Sequence, residues 1–407
     1  MMRGVVRVID DVAQIDAAAW NALVDTQPSA TPFVRHEYLL ALQASGSACD
    51  ETGWSTRFVC IFDEDADQRG DDDAGPDRPG ARLLAACPLY LKTHSYGEYV
   101  FDWAWADAYR RHGLAYYPKL LGAVPFTPVA GPRLLATDDA QRDALLSAIG
   151  RLVRESALSS AHLLFLDEAD QRAAERAGWM ARSTVQFHWR NRVPRPYAGF
   201  DDFLAGLQRD KRRKIVQERR KVAEAGVTFR ALRGAAIDRA DWDFFYRCYE
   251  LTYAAHGGAP YLTRDFFDRV AATMTEHWLL FVAERGEQRV ASSLIAIDPQ
   301  RGHAFGRYWG AIVPIDCLHF EACYYRPLAW CIENGFHRFE GGAQGEHKMA
   351  RGLLPVATAS AHLLADRRFA AAVDDFLQRE GRAVERYLDE LEARRPFKPA
   401  QPSDEAN

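Results

Sequence analysis

The sequence predicts an α+β (mixed α/β) protein of two domains, each a mixed sheet flanked by helices. The chain has 407 residues, 48% of them hydrophobic, which is too many for one compact unit of ordinary size. Strand-like and helix-like hydrophobic patterns alternate along both halves. Pro194 and Pro196 interrupt these patterns near the middle. We therefore expect an N-terminal domain over residues 1–192 and a C-terminal domain over residues 198–392.

The composition argues against several classes of protein. The net charge is -5 and the isoelectric point is about 6.2, which does not suit a nucleic-acid coat or a membrane-surface protein. The seven cysteines form no C-x-x-C pair and are odd in number, which favours reduced thiols. The sequence contains neither an apolar signal region nor an apolar run of about 18 residues. We expect a cytoplasmic protein without a transmembrane segment.

The first half reads as strands and short helices around one acidic loop. Residues 63–80 are acidic and contain glycine and proline, so this loop has little to bury and we expect it to be disordered. The predicted strands are 5–9, 57–62, 82–91, 162–166 and 183–190, and the predicted helices are 15–24, 32–42, 138–155 and 171–177.

An aromatic stretch lies inside this half. Residues 94–126 contain nine aromatic residues interspersed with charged ones. Two interpretations stay open, namely a groove that stacks on sugar or amide surfaces and an irregular domain core. The candidate substrate-binding residues here are Tyr96, Glu98, Trp103 and Lys119.

The second half opens with a basic helix over residues 200–224. Eight of the thirteen residues from Arg209 to Lys221 are Lys or Arg, which gives this segment a net charge of +6. It is either a solvated arm or a contact for phosphate. The candidate phosphate-binding residues are Arg212, Arg213, Lys214 and Arg219. The later elements are strands at 227–232, 278–284, 290–297 and 358–363, helices at 242–256, 264–275 and 366–391, and a disordered tail at 397–407.

A strand, a helix and a second strand hold most of the candidate chemistry. Residues 303–309 alternate like a strand, residues 317–334 follow a helical period, and residues 336–340 run as a strand into Gly341-Gly342. A right-handed parallel crossover is the simplest connection. It places several polar residues at or beyond the carboxyl end of a strand, where open α/β sheets bind ligands. These residues are Glu340, Gln344, Glu346, His347, Lys348 and Arg351.

Several segments resemble the FemAB-like acyltransferases, which build peptide cross-bridges in cell walls. Residues 211–226 resemble the basic helix of that family, residues 249–257 its following helix, and residues 347–352 a later lysine-containing element. Residues 128–133 resemble a Gly-Pro turn in the first domain of that family, and residues 94–103 and 342–348 resemble its subgroup described as predicted N-acyltransferases of peptidoglycan biosynthesis or recognition. The resemblance implies two tandem domains of the GCN5-related acetyltransferase (GNAT) type.

The resemblance also implies an activity. It points to transfer of an acyl or aminoacyl group to an amine acceptor, either a small molecule or a peptide such as a cell-wall precursor. The donor is left open between aminoacyl-tRNA, which the helix at 209–221 would contact, and acyl-coenzyme A. The glycine loop that holds pyrophosphate in ordinary acetyltransferases is missing at residues 310–316, which counts against acetyl-coenzyme A.

Acyl transfer to an amine requires a base and a stabiliser of the developing oxyanion. Glu340 is the first candidate base and His347 the second, while Glu340 has the alternative role of a turn carboxylate that caps backbone amides. Lys348, expected to be an exposed side chain on a flexible turn, is the candidate cation for donor phosphate or oxyanion.

Four further residues are candidates for substrate binding. Arg307 and Tyr308 are neighbours on one strand and should face opposite ways, so only one would meet the substrate. His319 and Glu321 begin the helix, where Glu321 has the alternative role of pairing with the helix dipole.

Two other kinds of function are alternatives to acyl transfer. No metal is expected, because Glu346-His347 lacks the second histidine of an H-E-x-x-H zinc helix. The competing class is a non-catalytic module that binds RNA or a cell-wall precursor through the basic helix and the aromatic stretch.

Overall fold

A computed structural model of the protein describes residues 4–63, 82–343 and 345–398. The strands are β1 Gly4–Ile9, β2 Trp54–Thr56, β3 Phe58–Asp63, β4 Leu83–Cys87, β5 Tyr90–Lys92, β6 Lys119–Gly122, β7 Leu135–Ala136, β8 Ser160–Leu166, β9 Met180–Arg190, β10 Val227–Arg233, β11 Trp278–Arg285, β12 Gln288–Asp298, β13 His303–Ala311, β14 Arg338–Ala343 and β15 Leu354–Leu364. The helices are α1 Ala17–Asp25, α2 His36–Ala44, α3 Trp103–Arg111, α4 Asp139–Glu155, α5 Glu168–Arg176, α6 Phe200–Gly206, α7 Arg209–Glu224, α8 Arg239–Ala255, α9 Arg264–Thr273, α10 Leu318–Phe320, α11 Arg326–Glu333 and α12 Arg367–Glu392. The predicted mixed α/β class is confirmed.

The chain divides into two compact units. The first groups the chain up to Thr184 with Tyr261–Val270 and Thr358–Glu385. The second groups Val185–Pro260, Ala271–Ala357 and the chain from Arg386 onward. The domain bounds proposed from the sequence, 1–192 and 198–392, stay a prediction.

In the first unit, four antiparallel strands pair in the order β1-β3-β4-β7. Other strands pair in the order β15-β8-β6-β5-β2, with β6 and β8 parallel. The apolar face of α4 packs on these strands, since Leu145 and Ile149 share a buried cluster with Val59 of β3 and Leu163 of β8. The single strand predicted over 82–91 is wrong. It is two strands, because Pro88 follows Cys87 and has no N–H to donate to a ladder.

In the second unit, strands pair in the order β10-β11-β12-β13-β14-β9. A buried cluster of Phe203 from α6, Ile215 from α7, Phe281 from β11 and Leu328 from α11 forms its core. The predicted continuous helix over 200–224 is wrong. It breaks after α6 at Leu207, which is extended, fully buried and bridged to Phe397.

Two predictions of disorder fall largely outside the described residues. In the acidic loop only Asp63, the last residue of β3, is described, and residues 64–80 lie outside. In the predicted tail, Phe397 packs against Phe203 with ring centroids 6.2 Å apart, and residues 399–407 lie outside.

Candidate active site

Strands β13 and β14 form the frame of the site. They pair in parallel from His303 and Arg338 to Phe305 and Glu340, which confirms the predicted strand, helix, strand crossover. Each strand then continues, β13 to Ala311 and β14 to Ala343. The carboxyl ends of a parallel pair are where α/β sheets bind ligands. The candidate residues that follow surround these ends.

The connecting helix is irregular at the level of the site. After Cys317, which has a φ of 65°, a short α-helical turn leads into a π-turn over Glu321–Tyr325 before α11 begins. Such π-turns often occur at functional sites because they redirect side chains that a regular helix would space evenly. Glu321 is buried there and pairs with Arg219 at 3.2 Å and Arg326 at 2.7 Å.

Glu340 is a buried carboxylate at the end of the parallel pairing. It is 2% exposed, and its Oε1 lies 2.8 Å from Nη2 of Arg338. Burial raises the pKa of Glu340 to about 7, against the opposing effect of Arg338, Arg307 and Arg190. A carboxyl group with this pKa can both lose and accept a proton near neutral pH, which suits a general base.

Glu340 has a histidine neighbour on the adjacent strand. His188 of β9 lies directly opposite Glu340, with its Nε2 3.8 Å from Glu340 Oε2. Arg338 Nη2 donates to His188 Nδ1 at 2.9 Å, and His188 Nε2 donates to Gln186 Oε1 at 3.0 Å. Burial, together with Arg338, Arg190 and Lys348, holds the pKa of His188 well below its ordinary value. His188 is therefore neutral, and its hydrogen bonds fix the orientation of Arg338.

Lys348 is buried, contrary to the expectation of an exposed side chain. It is 5% exposed, and its Nζ donates to the carbonyl oxygen of Gly342 at 3.2 Å. Its side chain runs past Gly341, where a Cβ would lie 3.4 Å from Lys348 Cδ and 2.5 Å from Leu353 Cδ2. Because Gly341 has no side chain, it leaves room for the side chain of Lys348 next to Glu340. Burial lowers the pKa of Lys348 to about 8, so its amine exists in both protonation states near neutral pH.

Two histidines lie close to Lys348. Burial, Arg351, Lys348 and Lys214 each lower the pKa of His347. Burial, His347, Arg351 and Lys348 lower the pKa of His319 to about 4. Arg351 and Lys348 therefore lie close enough to both histidines to disfavour a positive charge on either ring. A site of this kind favours a bound anion, which would relieve that repulsion.

The segment that carries Lys348 is anchored by ion pairs. It is a 3-10 helix over Glu346–Arg351. Arg351 pairs with Glu218 of α7 at 2.9 Å, and Glu346 accepts a hydrogen bond from Tyr387 at 2.8 Å. Gln344, a predicted substrate-binding residue, lies outside the described residues.

Arg307 and Tyr308 do not alternate as a regular strand would require. The register of β12 and β13 shifts between Leu294, opposite Tyr308, and Ile295, opposite Gly306. Arg307 is the extra residue of this β-bulge, which re-aims its side chain. Its Nη2 donates to the Tyr308 hydroxyl at 3.0 Å. The expectation that the two side chains face opposite ways is therefore wrong.

The candidate phosphate-binding residues on the basic helix α7 are of two kinds, exposed and paired. Arg213 and Lys214 are exposed and, with Arg209, line an open depression of about 480 Å³ near the start of the helix. Arg212 is half-buried. Arg219 instead pairs with Glu321, which leaves it less suited to a ligand.

The substrate-binding candidates in the first unit are also of two kinds, buried and exposed. Lys119 is fully buried and donates to Glu98 at 2.8 Å and to Asp102, and Tyr116 donates to Asp102 at 2.6 Å. Tyr96 and Trp103 are 58% and 42% exposed, with ring centroids 5.1 Å apart. Part of the aromatic stretch is thus core, and part is a surface on which a ligand could stack.

Comparison with known families now identifies the chain. Residues 11–399 match the FemAB-like family, described as peptidoglycan biosynthesis/recognition. The chain belongs to the FemAB-like family. This membership indicates a transferase of the acyl or aminoacyl kind. A search of curated protein sequences found no match.

Solved structures resemble this FemAB-like protein remotely. L-PGS from Bacillus licheniformis is 10% identical with a TM-score of 0.49, and the match covers 90% of this chain and 96% of that one. A tandem GNAT protein from the clavulanic acid biosynthesis pathway is 9% identical with a TM-score of 0.44, covering 89% and 99%. The C-terminal domain (DUF2156) of a putative lysylphosphatidylglycerol synthetase from Agrobacterium fabrum is 10% identical with a TM-score of 0.43, covering 71% and 85%. Similarities this remote say nothing about the substrate.

Three further observations concern the described part of this FemAB-like chain. Within it, no group of three or more His, Cys, Asp or Glu residues could hold a metal ion. None of its helices has both the length and the apolar character needed to cross a bilayer. All seven cysteines are free thiols.

Sequence reasoning missed several residues of the site in this FemAB-like protein. His188, Arg338, Glu218 and Tyr325 contact candidate residues, yet none was singled out. One signal was available for His188. Polar Gln186 and His188 alternate with apolar Phe187 and Trp189 on a strand that is buried on both faces, and a buried polar residue needs a partner. No local pattern marked Glu218, which lies within a run of cations.

Proposed function

We propose that this protein is an N-acyltransferase that transfers an acyl or aminoacyl group to an amine acceptor, with Glu340 and Lys348 at the reaction centre. One observation carries the proposal. A buried lysine with a pKa near 8 passes beside the glycine that follows a buried glutamate with a pKa near 7, at the carboxyl ends of two parallel strands. Perturbed titratable groups collected in this way are characteristic of catalytic sites.

The reaction assigns one role to each residue. Glu340 accepts a proton from the acceptor's ammonium group, directly or through water, because only the neutral amine is nucleophilic. The amine nitrogen then bonds to the acyl carbon of the donor, and the Lys348 ammonium stabilises the oxyanion that forms. Collapse of the intermediate breaks the bond to the leaving group, which takes the proton that the amine nitrogen loses as the amide forms, while the proton held by Glu340 passes to solvent. His347, which is exposed, is the second candidate base.

The cations supply the donor site in this proposal. Lys214 and Lys348 both lie close enough to His347 to lower its pKa, and Arg213 and Lys214 line the depression at the start of α7. We propose that Arg212, Arg213 and Lys214 contact donor phosphate, with aminoacyl-tRNA favoured over acyl-coenzyme A because the pyrophosphate loop is missing. Arg219 forms an ion pair with Glu321 and is therefore the weakest of these candidates.

Substrate binding is proposed for the remaining candidates. In the second unit these are Arg307, Tyr308, His319, Glu321, Gln344 and Glu346, whereas buried Arg351 is paired with Glu218 and is less suited to a ligand. In the first unit, the exposed rings of Tyr96 and Trp103 are proposed as a surface of their own on which a sugar or amide group stacks, and Glu98 pairs with Lys119 in the interior of that unit. The acceptor is proposed to be a cell-wall precursor or a smaller amine, and the protein to act in the cytoplasm.

The test begins with finding a substrate. Ligands that co-purify with the full chain are identified by mass spectrometry, and aminoacyl-tRNA and acyl-coenzyme A donors are then assayed with amine acceptors. Lys348→Met should reduce turnover by about 10²–10³, the loss typical of one oxyanion donor. Methionine fits the buried position, so the fold should persist. Lys398→Met, on an exposed lysine, is the matched control and should keep full activity.

A non-catalytic binding module is the alternative class. In such a module, Lys348→Met and Lys348→Arg would change affinity for RNA or for a cell-wall precursor, and there would be no turnover to lose. A substrate turned over equally well by Lys348→Met and by the wild type would contradict the catalytic assignment.

A further inference from the structure

Glu218 and Arg351 join three elements of the second unit around the site. Arg351 Nη2 lies 2.9 Å from both carboxylate oxygens of Glu218, and the Tyr325 hydroxyl donates to one of them. Glu218 belongs to α7, Tyr325 ends the π-turn, and Arg351 ends the 3-10 segment Glu346–Arg351. Glu218 is 8% exposed and Arg351 is 2% exposed. Removing either partner of such a pair leaves a buried charge without compensation, so the pair resists separation of the elements that it joins.

Arg351 also holds the backbone next to Lys348. Its Nη1 donates to the carbonyl oxygen of His347 at 2.7 Å, and its guanidinium carbon lies 3.5 Å from the ring centroid of Phe320. The segment is bounded by Gly345 with a φ of 97° and Gly352 with a φ of 83°. Glycine imposes little restraint on its own backbone. A six-residue turn between two glycines therefore depends on side-chain contacts for its position.

We infer that Glu218 and Arg351 are positioning residues, which hold the 3-10 segment so that the Lys348 amine stays buried beside the carboxyl end of β14. This inference rests on the proposed function, because that function is what gives the position of Lys348 its importance. Glu218 and Arg351 act through Lys348 and take no part in bond formation. Their pairing also ties α7, whose Lys214 is a proposed phosphate ligand, to the segment that carries the proposed catalytic cation.

The pKa of the Lys348 amine indicates whether the side chain is buried or displaced into water. Titratable and charged groups face it from several elements, namely His188 of β9, His319 and Cys323 of the connecting helix, and His347 of its own segment. Burial is the main cause of its lowered pKa, and Cys323 acts in the opposite direction. A displaced segment would expose the amine to water and return its pKa toward the ordinary value of about 10.4.

The experiment measures the pH at which Lys348 becomes reactive. The full-length protein is labelled with trace acetic anhydride over a range of pH, and mass spectrometry follows acetylation of Lys348, normalised to its high-pH plateau. In the wild type the midpoint should lie at a pH of about 8. In Glu218→Gln two effects would move the midpoint of Lys348 acetylation in opposite directions. Loss of an anion alone would lower the midpoint further, whereas release of the segment should raise it by about one pH unit or more.

Matched variants complete the design. Arg351→Met should also raise the midpoint, but loss of its cation acts in the same direction as release of the segment, so Glu218→Gln is the deciding variant. Glu218→Asp, which keeps the charge, should restore most of the wild-type value. Glu224→Gln changes an exposed glutamate of the same helix and should leave the midpoint unchanged. A midpoint that is unchanged or lowered in folded Glu218→Gln and Arg351→Met overturns the inference. If Glu218→Gln does not fold by circular dichroism, Tyr325→Phe decides, with a raised midpoint supporting the inference and an unchanged one overturning it.

Acetylation of Lys348 can be measured without a substrate. The positioning role and the catalytic role are therefore tested independently. A shifted midpoint combined with normal turnover of Lys348→Met would retain the positioning role and reject the catalytic one. An unshifted midpoint combined with lost turnover would do the reverse.

Discussion

The pH dependence of turnover should be bell-shaped with narrow limits. The proposed mechanism requires Glu340 ionised and Lys348 protonated, and their pKa values are about 7 and about 8. The rate should therefore rise as the pH rises through 7 and fall as it rises through 8. Midway, at a pH of about 7.5, roughly three quarters of each group is in its active state, so about half of the enzyme is active. Beyond either pKa the rate should fall about tenfold per pH unit.

The assay is kcat/KM at constant ionic strength over a pH range of about 5.5 to 10, in the wild type and two variants. Lys348→Arg keeps its charge throughout this range, so the alkaline limb should disappear. Its maximum should be about 10² lower, because the planar guanidinium places its hydrogens differently. Glu340→Gln should lose the acidic limb along with about 10²–10⁴ of the rate. Glu333→Gln, on an exposed glutamate, should keep the wild-type profile.

The acceptor amine also titrates, but it does so equally in every variant. Comparison between variants thus isolates the contribution of the protein. A wild-type profile that is flat between pH 6 and 9 would refute the reasoning, as would an alkaline limb that persists in Lys348→Arg.

Three other predictions use different regions of the chain. Charge reversal of Arg212 and Arg213 to Glu should weaken binding of a labelled transfer RNA and reduce the salt slope by about 2, about one for each lost cation, whereas an unchanged slope would indicate a solvated arm. Lys119→Met removes the cation shared by two buried carboxylates and should destabilise the protein by about 3–5 kcal/mol in denaturant titrations. Gly310→Ala would place a Cβ 2.0 Å from the carbonyl oxygen of Cys248, so α8 must move from β13 and the melting temperature should fall markedly; an unchanged melting temperature would contradict this packing.

The order of elements around the candidate site is readable from the sequence. Alternation over residues 303–309, the helical period that follows and the paired glycines at 341 and 342 predict a strand, a helix and a strand, and the structure contains them in parallel. These features were readable because they are local. A hydrophobic period records which side of an element is buried, and glycines record where the backbone must turn.

The hydrogen-bond and ion-pair partners of the site residues, and their protonation states, depend on the tertiary structure. Arg338 meets His188 across 150 positions of sequence, and Arg351 meets Glu218 across 133. No local pattern encodes such a pairing. Lys348 follows a glycine-rich turn, which predicts exposure, yet the packed segment buries it. The pKa values of Glu340 and Lys348 follow from that burial, because the loss of water penalises a charge by an amount that depends on everything packed around it. The sequence alone therefore determined which residue types gather at the end of β14, while folding alone decided which of them are buried and which protonation states they hold.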